Sequence, residues 1–331
     1  KPLRLHAYLD YSRRDGERLT CLEEFLKSML LKRSYSCTLK LGVLVCLLLA
    51  FGALRPTLAA ADDALLTMPF ENISGRPEYN WIGDSFAVLL ADLLDVPGIS
   101  VLTPDERNMA YERTGIKAGD LLTRAAEIKI AGLAQANLAL VGTYDIGGDK
   151  KGGATIAISA RLIETREGRL VGNKTFNFSG PLTELQIMQG QLAWSILYER
   201  DPSLPYSREQ MIRRAKSVPP RAYESYVKGI QTNDPKLREN FLRRAIKEYN
   251  SEESVGHYAQ AIYELGLIQY KQREFADAVR TFKELVKDDP RYGESRFFLG
   301  LAAYSQGNVN EAAEAFGKLA EMMPLVEVLN N

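Results

Sequence analysis

Cysteine and histidine, the side chains that most often serve as nucleophiles, general bases and metal ligands, are scarce in this chain. All of the cysteines and one of the two histidines precede residue 62: Cys21, Cys37, Cys46 and His6. The second histidine, His257, stands alone in the remainder, and we expect it to be structural. If residues 1–61 are removed as a leader, the mature chain has no thiol for a disulfide, a zinc site or a nucleophile. The residue types therefore predict no metal and no cofactor.

Three carboxylates, Glu71, Glu78 and Asp84, follow a predicted first strand, where they could form a small polar site at its carboxyl end. Capping and turn chemistry is the alternative that we favour for them. The segment Gly147–Gly153, GGDKKGG, lacks the Gly-Lys-Ser/Thr ending of a phosphate loop, and its place between strands predicts a hairpin turn. The chain also has no nucleophile elbow and no zinc motif, so we expect no enzyme. A hydrolase that uses carboxylates alone is the remaining catalytic alternative.

Strands and helices alternate between residues 62 and 200, the first predicted domain. Apolar runs and period-two alternation predict the strands Ala64–Phe70, Ile99–Leu102, Leu138–Ile146, Ala154–Glu164 and Arg169–Phe178. Helical spacing and capping residues predict helices over Asn80–Leu94, from Pro104 onward, over Ala118–Ala134 and over Pro181–Glu199. This order predicts a mixed sheet covered by helices, an α/β sandwich.

Several segments of this domain, in this order and spacing, resemble the TolB amino-terminal-like family, which is itself similar to the flagellar FlgO-type domain. The segments are MPFENISG (Met68–Gly75), YNWIGDSFAVLLADLL (Tyr79–Leu94), ISVLTPDE (Ile99–Glu106), LVGTYDI (Leu140–Ile146) and ISARLIETREGRLVG (Ile158–Gly172). The resemblance implies a non-catalytic α/β domain exported to the bacterial periplasm, and it names no ligand. Nothing in the chain resembles the β-propeller of TolB itself.

One pattern occurs twice in the last third of the chain. Leu265-Gly266 is followed by Ala278, Phe282 and Pro290, and each of these residue types recurs 34 positions later. That period is typical of tetratricopeptide repeats, which are pairs of helices stacked into an all-α solenoid. We therefore divide residues 221–331 into a degenerate unit (221–257), two clear units (258–290 and 291–324) and the start of a further unit (325–331). A proline-rich connector, 201–220, precedes them. The fold class is thus α+β.

In the tetratricopeptide fold the first helix of each unit lines the concave face. By this resemblance the groove residues are Gln260, Tyr263, Leu267, Tyr270, Lys271, Glu294, Phe297, Leu301, Tyr304 and Ser305. Four aromatic side chains among ten positions favour an extended peptide as ligand, because aromatic rings supply contact area at low entropic cost. The alternative is that Tyr270 and Tyr304 are packed between helices.

The first 61 residues have the pattern of an export signal. Three basic residues precede the uncharged run Leu41–Leu54, and Ala59-Ala60-Ala61 offers a cleavage site. The run is short for a bilayer span, so we predict a signal peptide over residues 29–61, cleaved after Ala61, with an uncleaved anchor as the alternative. Residues 1–28 fit such a signal poorly, and we interpret them as upstream sequence or the end of a cytoplasmic segment.

Charge argues against nucleic acid as a partner. Residues 1–61 hold ten of the 42 Lys and Arg and five of the 42 Asp and Glu, which leaves 42 − 10 = 32 basic and 42 − 5 = 37 acidic residues in the body. A mildly acidic body does not suit a phosphate backbone. The sequence therefore predicts a periplasmic scaffold that binds a protein or peptide, touching the membrane only through an uncleaved leader. A small-ligand sensor that uses the repeats as a relay is the alternative, and the oligomeric state stays open.

Overall fold

The computed structural model describes residues 63–116, 122–148, 153–251, 256–285, 289 and 292–322. The predicted leader, the tip of the GGDKKGG turn, Pro290, Pro324 and the predicted further unit lie outside these residues. No helix in the described ranges is both long enough and apolar enough to cross a bilayer.

Within the described ranges, seven strands form one mixed sheet. They are β1 (Asp63–Thr67), β2 (Glu71–Asn72), β3 (Ile99–Val101), β4 (Leu138–Gly147), β5 (Thr155–Glu164), β6 (Arg169–Leu170) and β7 (Phe176–Pro181). The strand order is β3-β1-β4-β5-β6, with β2 paired to β4 and β7 paired to β5. The β3-β1-β4 part is parallel, and β4, β5 and β7 form the predicted antiparallel meander. In the parallel part, crossover connections must return each chain segment to the same end of the sheet, which is why helices separate these strands.

Helices cover both faces of the sheet, as predicted. They are α1 (Trp81–Leu94), α2 (Pro104–Thr114), α3 (Arg124–Leu133) and α4 (Leu185–Arg200). Leu65 and Tyr144 belong to the apolar core that includes α1 and α4, whereas Leu66 and Val141, which alternate with them along the strands, belong to the core of α2 and α3. The period of two along a strand sends neighbouring side chains to opposite faces, so each face obtains its own core.

Several predicted boundaries in this domain were wrong, and the strand predicted over Ala64–Phe70 ends at Thr67. The strand predicted over Arg169–Phe178 is split into β6 and β7 by a short 3-10 turn, in which Gly172 has φ of 62°. Residues 118–121 of the helix predicted over Ala118–Ala134 lie outside the described residues. The described helix begins at Arg124, because the Thr123 hydroxyl accepts a hydrogen bond from the Ala126 N–H and so caps it there. Pro181, predicted to open the last helix, ends β7 instead, and α4 begins at Leu185.

Seven further helices follow the sheet domain in the part of the chain that the structure describes. They are α5 (Arg208–Ala215), α6 (Pro220–Gln231), α7 (Pro235–Ser251), α8 (Ala259–Lys271), α9 (Phe275–Lys283), α10 (Tyr292–Ser305) and α11 (Val309–Met322). The last six pack as the consecutive pairs α6/α7, α8/α9 and α10/α11. The fold class is therefore confirmed: a mixed α/β domain is followed by a helical region of paired helices.

The predicted connector is part of the core. Met211 and Ala215 of α5 are buried in the same apolar cluster that runs from Leu65 of β1 to Ile268 of α8. Arg214 Nη2 donates a hydrogen bond of 2.9 Å to the Asp92 carbonyl in the last turn of α1, a group that has no partner within its own helix. The helix pairs thus continue the sheet domain without a loose linker.

Candidate functional site

The two clear repeats have the same internal construction. Gly266 of α8 lies so close to Phe282 of α9 that a Cβ on the glycine would stand 2.5 Å from the ring. Gly300 of α10 faces Phe316 of α11 in the same way, at 2.6 Å. Only glycine allows a ring to lie against the backbone of the paired helix at these positions. The period of 34 residues is therefore a period in three-dimensional contacts as well as in sequence.

The ten predicted groove residues lie on the first helix of each clear pair and fall into two classes. Lys271, Tyr304 and Ser305 are exposed at the carboxyl ends of α8 and α10. The others are half-buried: Gln260, Tyr263, Leu267, Tyr270, Glu294, Phe297 and Leu301. On the first helix of each clear pair, α8 and α10, the structure thus places a partly accessible apolar stripe beside exposed polar side chains.

Phe298, which the sequence reasoning missed, is the centre of the aromatic contacts between the two repeats. Its ring centroid lies 6.1 Å from that of Tyr263, 5.9 Å from that of Tyr270 and 6.1 Å from that of Phe282. The first two contacts are edge-on, a favourable geometry for aromatic pairs. The signal available in the sequence was the Phe297-Phe298 doublet, because consecutive residues of a helix point in different directions.

The alternative of packing between helices therefore applies to part of the predicted site. Tyr263 and Tyr270 of α8 contact Phe298 of the next repeat while keeping part of their surface accessible. Tyr304 of α10, the counterpart of Tyr270, is 65% exposed. Phe297 keeps an edge-on contact of 6.0 Å with Phe316 of its own repeat.

Of the three carboxylates considered as a polar site after the first strand, Glu71 and Asp84 accept hydrogen bonds from distant segments of the chain. A Glu71 oxygen accepts a hydrogen bond of 2.6 Å from the Leu122 N–H, and Asp84 accepts one from the Gln231 side chain of α6. Burial raises the pKa of the Asp84 carboxyl, an effect that this hydrogen bond and the charge of Arg107 oppose. Glu78 is exposed on a 3-10 turn. Two of these acids therefore fix loops and helices in place.

Glu127 of α3 is a buried carboxylate beside Arg161 of β5. The residue is 5% exposed, and Arg161 of β5 lies 3.7 Å from its Oε1 atom. Its Oε2 atom has no hydrogen-bond partner among the described residues. Burial raises the pKa of this carboxyl, and Arg161 opposes the shift.

An open concavity of about 320 Å³ lies on the same sheet face as α2 and α3, over the part of that face that the two helices do not cover. Outward-facing side chains of β4, β5 and β7 line it, among them Thr143, Asp145, Ser159 and Asn177, with Ile73 at its margin. These are small polar groups on an open surface, and Ile73 is an exposed apolar residue. Within the described ranges, no three His, Cys, Asp or Glu side chains come together as a metal site would require.

The sheet domain is followed by helix pairs, two of which repeat at a period of 34 residues. This arrangement defines a class of protein: an α/β domain with a carboxyl-terminal helical repeat. The repeat is a tetratricopeptide repeat, since that family matches residues 263–322. Arrays of this kind carry extended concave surfaces that bind protein and peptide segments. The resemblance of residues 62–200 to the TolB amino-terminal-like family is not confirmed by the comparisons and stays a prediction.

Several solved structures are similar to parts of the chain. The LpoB carboxyl-terminal domain from Salmonella enterica is 17% identical, with 40% of this chain and 93% of that chain covered and a TM-score of 0.27. Lipoprotein GNA1162 from Neisseria meningitidis is 20% identical (43% and 98% covered, TM-score 0.30). YrrB, described as a tetratricopeptide protein with an unusual peptide-binding site, is 17% identical (44% and 72% covered, TM-score 0.29). These low scores support no inference about this chain. A comparison with curated proteins gives no significant match.

Proposed function

We propose that this protein is a non-catalytic scaffold of the bacterial envelope that holds a protein or peptide segment against the concave face of its tetratricopeptide repeats. The observation that carries the proposal is the pair of equivalent side-chain stripes on α8 and α10, inside the region that matches the repeat family. Each stripe joins half-buried aromatic rings to exposed polar groups at the end of its helix.

The chemistry of this face suits an extended segment. Partly accessible rings such as Tyr263 and Phe297 offer contact area while their positions are already fixed by contacts within the array. A ring that is held in place before binding loses little entropy when a ligand covers it. Gln260, Lys271 and Ser305 add hydrogen-bonding groups that would fix the direction of a bound main chain.

The envelope location rests on the leader pattern. A basic stretch, the apolar run Leu41–Leu54 and the small residues before Asp62 are the features of an export signal. Cell fractionation and mass spectrometry of the mature amino terminus test this part. A mature chain that begins at Asp62 and fractionates with the periplasm would support it, and tryptic peptides from residues 4–27 in the mature protein would contradict it.

The sheet domain would serve as a second docking module in fixed orientation. Its core is continuous with that of α6, α7 and α8, so a partner of the domain and a partner of the repeats would be held at a set distance and angle. A scaffold of this kind brings two envelope components together without any chemistry of its own.

Affinity purification from the native envelope tests the proposal. The groove variant combines Gln260→Glu near the start of α8 with Lys271→Ala at its end. The matched control combines Asn310→Glu near the start of α11 with Lys318→Ala, which makes the same charge changes on exposed positions of a second helix. We expect the groove variant to lose a partner that the wild type and the control retain. An identical set of partners for all three proteins would contradict the groove.

A small-ligand sensor is the second candidate function, and the concavity on the sheet face is the observation that favours it. Its polar side chains would suit a hydrogen-bonding ligand such as a sugar or a short peptide. Thermal-shift screening with envelope-derived compounds tests this alternative. A stabilising compound whose effect is lost in Asn177→Leu would support the sensor, and the absence of any stabilising compound would count against it.

A further inference from the structure

Positive charge is concentrated where the sheet domain meets the helical region. Between residues 208 and 221, over α5 and the start of α6, the chain has five basic residues and one acidic residue, Glu209. The body of the chain beyond residue 61 is, in contrast, mildly acidic. A local excess of basic residues on an acidic body indicates a partner that carries negative charge.

Most of these basic side chains face solvent. Arg214 is half-buried, and its guanidinium donates to main-chain carbonyls of α1. The other four are exposed, and we call them the basic surface: Arg208, Arg213, Lys216 and Arg221. On α7, Arg243 and Arg244 are also exposed, but each lies in an ion pair with a glutamate one turn away.

The packing of α5 on α4 brings an aromatic pair beside the basic surface. A Cβ on Gly190 of α4 would lie 2.8 Å from the Ile212 Cα atom of α5, so the two helices cross in close contact there. Trp194 and Tyr198 follow one and two turns later on α4, with ring centroids 5.1 Å apart. Trp194 is half-buried and Tyr198 is 52% exposed.

The core side of each helix leaves these residues on its outer side. Met211 of α5 is buried, and Arg213, two positions later, points in nearly the opposite direction. Leu192 of α4 is likewise buried, and Trp194 follows it by two positions. The aromatic pair and the basic surface therefore lie on the outer sides of two helices that pack against each other.

We propose that this surface binds the anionic phospholipid face of a membrane, with the basic side chains at the headgroup phosphates and the Trp194–Tyr198 pair at the interface. Clustered Lys and Arg are attracted to an anionic leaflet. Trp and Tyr favour the membrane–water boundary, since their rings are apolar at one end and polar at the other. A headgroup layer is a fluid array of phosphates and needs no pocket of matching shape, which suits charges on the outside of helices.

The undescribed segments of the chain do not supply the opposite charge. Residues 1–61 hold ten basic and five acidic residues, so their net charge has the same sign as the basic surface. Among the shorter undescribed segments, 252–255 is the most acidic, with two glutamates. Charge complementarity therefore favours an external anionic surface over these segments as the occupant.

This surface lies outside the predicted groove, so membrane binding here is independent of the proposed function. The sequence patterns predicted membrane contact only through an uncleaved leader. A second contact through α4 and α5 would lay the sheet domain on the bilayer and, through the continuous core, fix the direction in which the repeats face.

Trp194 supplies the probe for this proposal. The chain has two tryptophans, Trp81 and Trp194, so Trp81→Phe leaves Trp194 as the only one. Vesicles with brominated acyl chains quench a tryptophan that reaches the membrane interface. Because residues 1–61 contain no tryptophan, the signal follows α4 and not the leader. The anionic vesicles contain phosphatidylglycerol and phosphatidylcholine in equal parts, and the neutral vesicles contain phosphatidylcholine alone.

We expect the anionic vesicles to quench Trp194 in the full chain and the neutral vesicles to leave its emission unchanged. Arg213→Gln/Lys216→Gln should raise the lipid concentration for half-maximal quenching by about tenfold or more, because each basic side chain adds to the attraction. The matched control Lys129→Gln/Arg166→Gln removes the same charge from exposed positions on α3 and in the turn after β5, and should not change the quenching.

Two further measurements test the proposal without altering the basic surface. Raised salt should weaken the quenching, since it screens exposed charges. The groove variant Gln260→Glu/Lys271→Ala should be quenched normally, which separates this test from that of the proposed function.

Three results would overturn the proposal. The first is Trp194 emission that the anionic vesicles leave unchanged. The second is quenching that the α5 variant and its control weaken equally, because the net charge of the chain and not this surface would then govern it. The third is binding of labelled poly-L-glutamate that Arg213→Gln/Lys216→Gln abolishes, with no quenching by vesicles, since the partner would then be an acidic protein.

Discussion

The Tyr223 hydroxyl donates a hydrogen bond of 2.6 Å to the main-chain carbonyl of Ser85, 138 residues earlier in the sequence. The bond joins α6, the first helix of the predicted repeat region, to α1 of the sheet domain. The Ser85 hydroxyl in turn accepts a bond of 3.0 Å from the Gln189 side chain of α4. Both Tyr223 and Ser85 are buried. The junction between the two predicted domains is therefore a hydrogen-bonded core and not a hinge.

Tyr223→Phe tests this junction. The change removes one hydroxyl and leaves the ring in its apolar surroundings, so it deletes the hydrogen bond without opening a large cavity. We expect the free energy of unfolding to fall by about 1–2 kcal/mol, the usual cost of losing a buried hydrogen bond. Urea denaturation followed by circular dichroism measures the change, and Tyr198→Phe, at an exposed position of α4, should leave the midpoint unaltered.

The same bond predicts how unfolding proceeds. A core shared by the sheet domain and α6 to α8 should unfold as one cooperative unit. Two separate transitions, with the helical region melting first and Tyr223→Phe affecting only one of them, would contradict a continuous junction.

The helix contacts within each repeat give a second prediction. Gly300→Ala would place a methyl group 2.6 Å from the Phe316 ring, so we expect a destabilisation of about 1–3 kcal/mol from overpacking. Gly317→Ala is the matched control on α11, where a Cβ would meet nothing within 4 Å. This control should gain up to about 1 kcal/mol, because alanine favours a helix over glycine.

Differential scanning calorimetry of the two variants decides the point. If Phe316 packs against Gly300 in solution, Gly300→Ala lowers the melting temperature and Gly317→Ala raises it. Equal shifts in Gly300→Ala and Gly317→Ala would mean that the close approach of Phe316 is not maintained in solution.

The aromatic contact between the repeats gives a third prediction. Phe298→Ala removes the ring that touches Tyr263, Tyr270 and Phe282, and we expect a loss of about 2–4 kcal/mol for such a truncation of a core aromatic contact. Tyr304→Ala at the exposed counterpart position should stay within about 0.5 kcal/mol of the wild type. Urea denaturation of both variants provides the comparison, and a large loss in Tyr304→Ala would show that this ring is packed.

The pH dependence of stability gives a fourth prediction, through Glu127. Its folded pKa is raised above the ordinary value of 4.5, chiefly by burial. The stabilising contribution of its protonated form is therefore complete below about pH 4.5 and is lost as the pH rises through the folded pKa. Glu127→Gln is neutral at every pH and keeps that contribution. We expect the variant to melt higher than the wild type at pH 7.5 and near it at pH 4.

Thermal melts at these two pH values measure the effect. Glu112→Gln on α2, an exposed position, serves as the control and should show the same small difference at both. A variant that melts lower than the wild type at pH 7.5 would mean that the ion pair with Arg161 outweighs the cost of burial.

The sequence predicted most of the fold because its signals are local. Period-two alternation located the meander, and the 34-residue period located the two clear helix pairs. Leu265, Ala278 and Phe282 were recognised by spacing alone, and they are buried as a repeat requires. The ends of helices and strands were less predictable. The Thr123 cap starts α3 at Arg124, and the turn at Gly172 divides the predicted strand into β6 and β7.

The relationships that the sequence did not reveal are contacts between distant residues. Tyr223 has no local reason to meet Ser85, and Gln231 has none to meet Asp84, so the continuous junction was not predictable from spacing. Phe298 was missed because the groove positions follow a family pattern. The contacts of its ring with Tyr263 and Tyr270 depend instead on how α10 packs against α8. The groove assignment itself stays a prediction, supported by where the exposed and half-buried side chains lie.

Site-specific photocrosslinking in the native cell tests the central claim, binding on the concave face of the repeats, most directly. A photoreactive amino acid replaces Lys271 or Gln260 on α8 in one set of strains, and Asn310 or Lys318 on α11 in the matched set. We expect the α8 positions to capture a discrete protein partner and the α11 positions to capture none. Capture from α11 alone, or no capture from either α8 position, would contradict it.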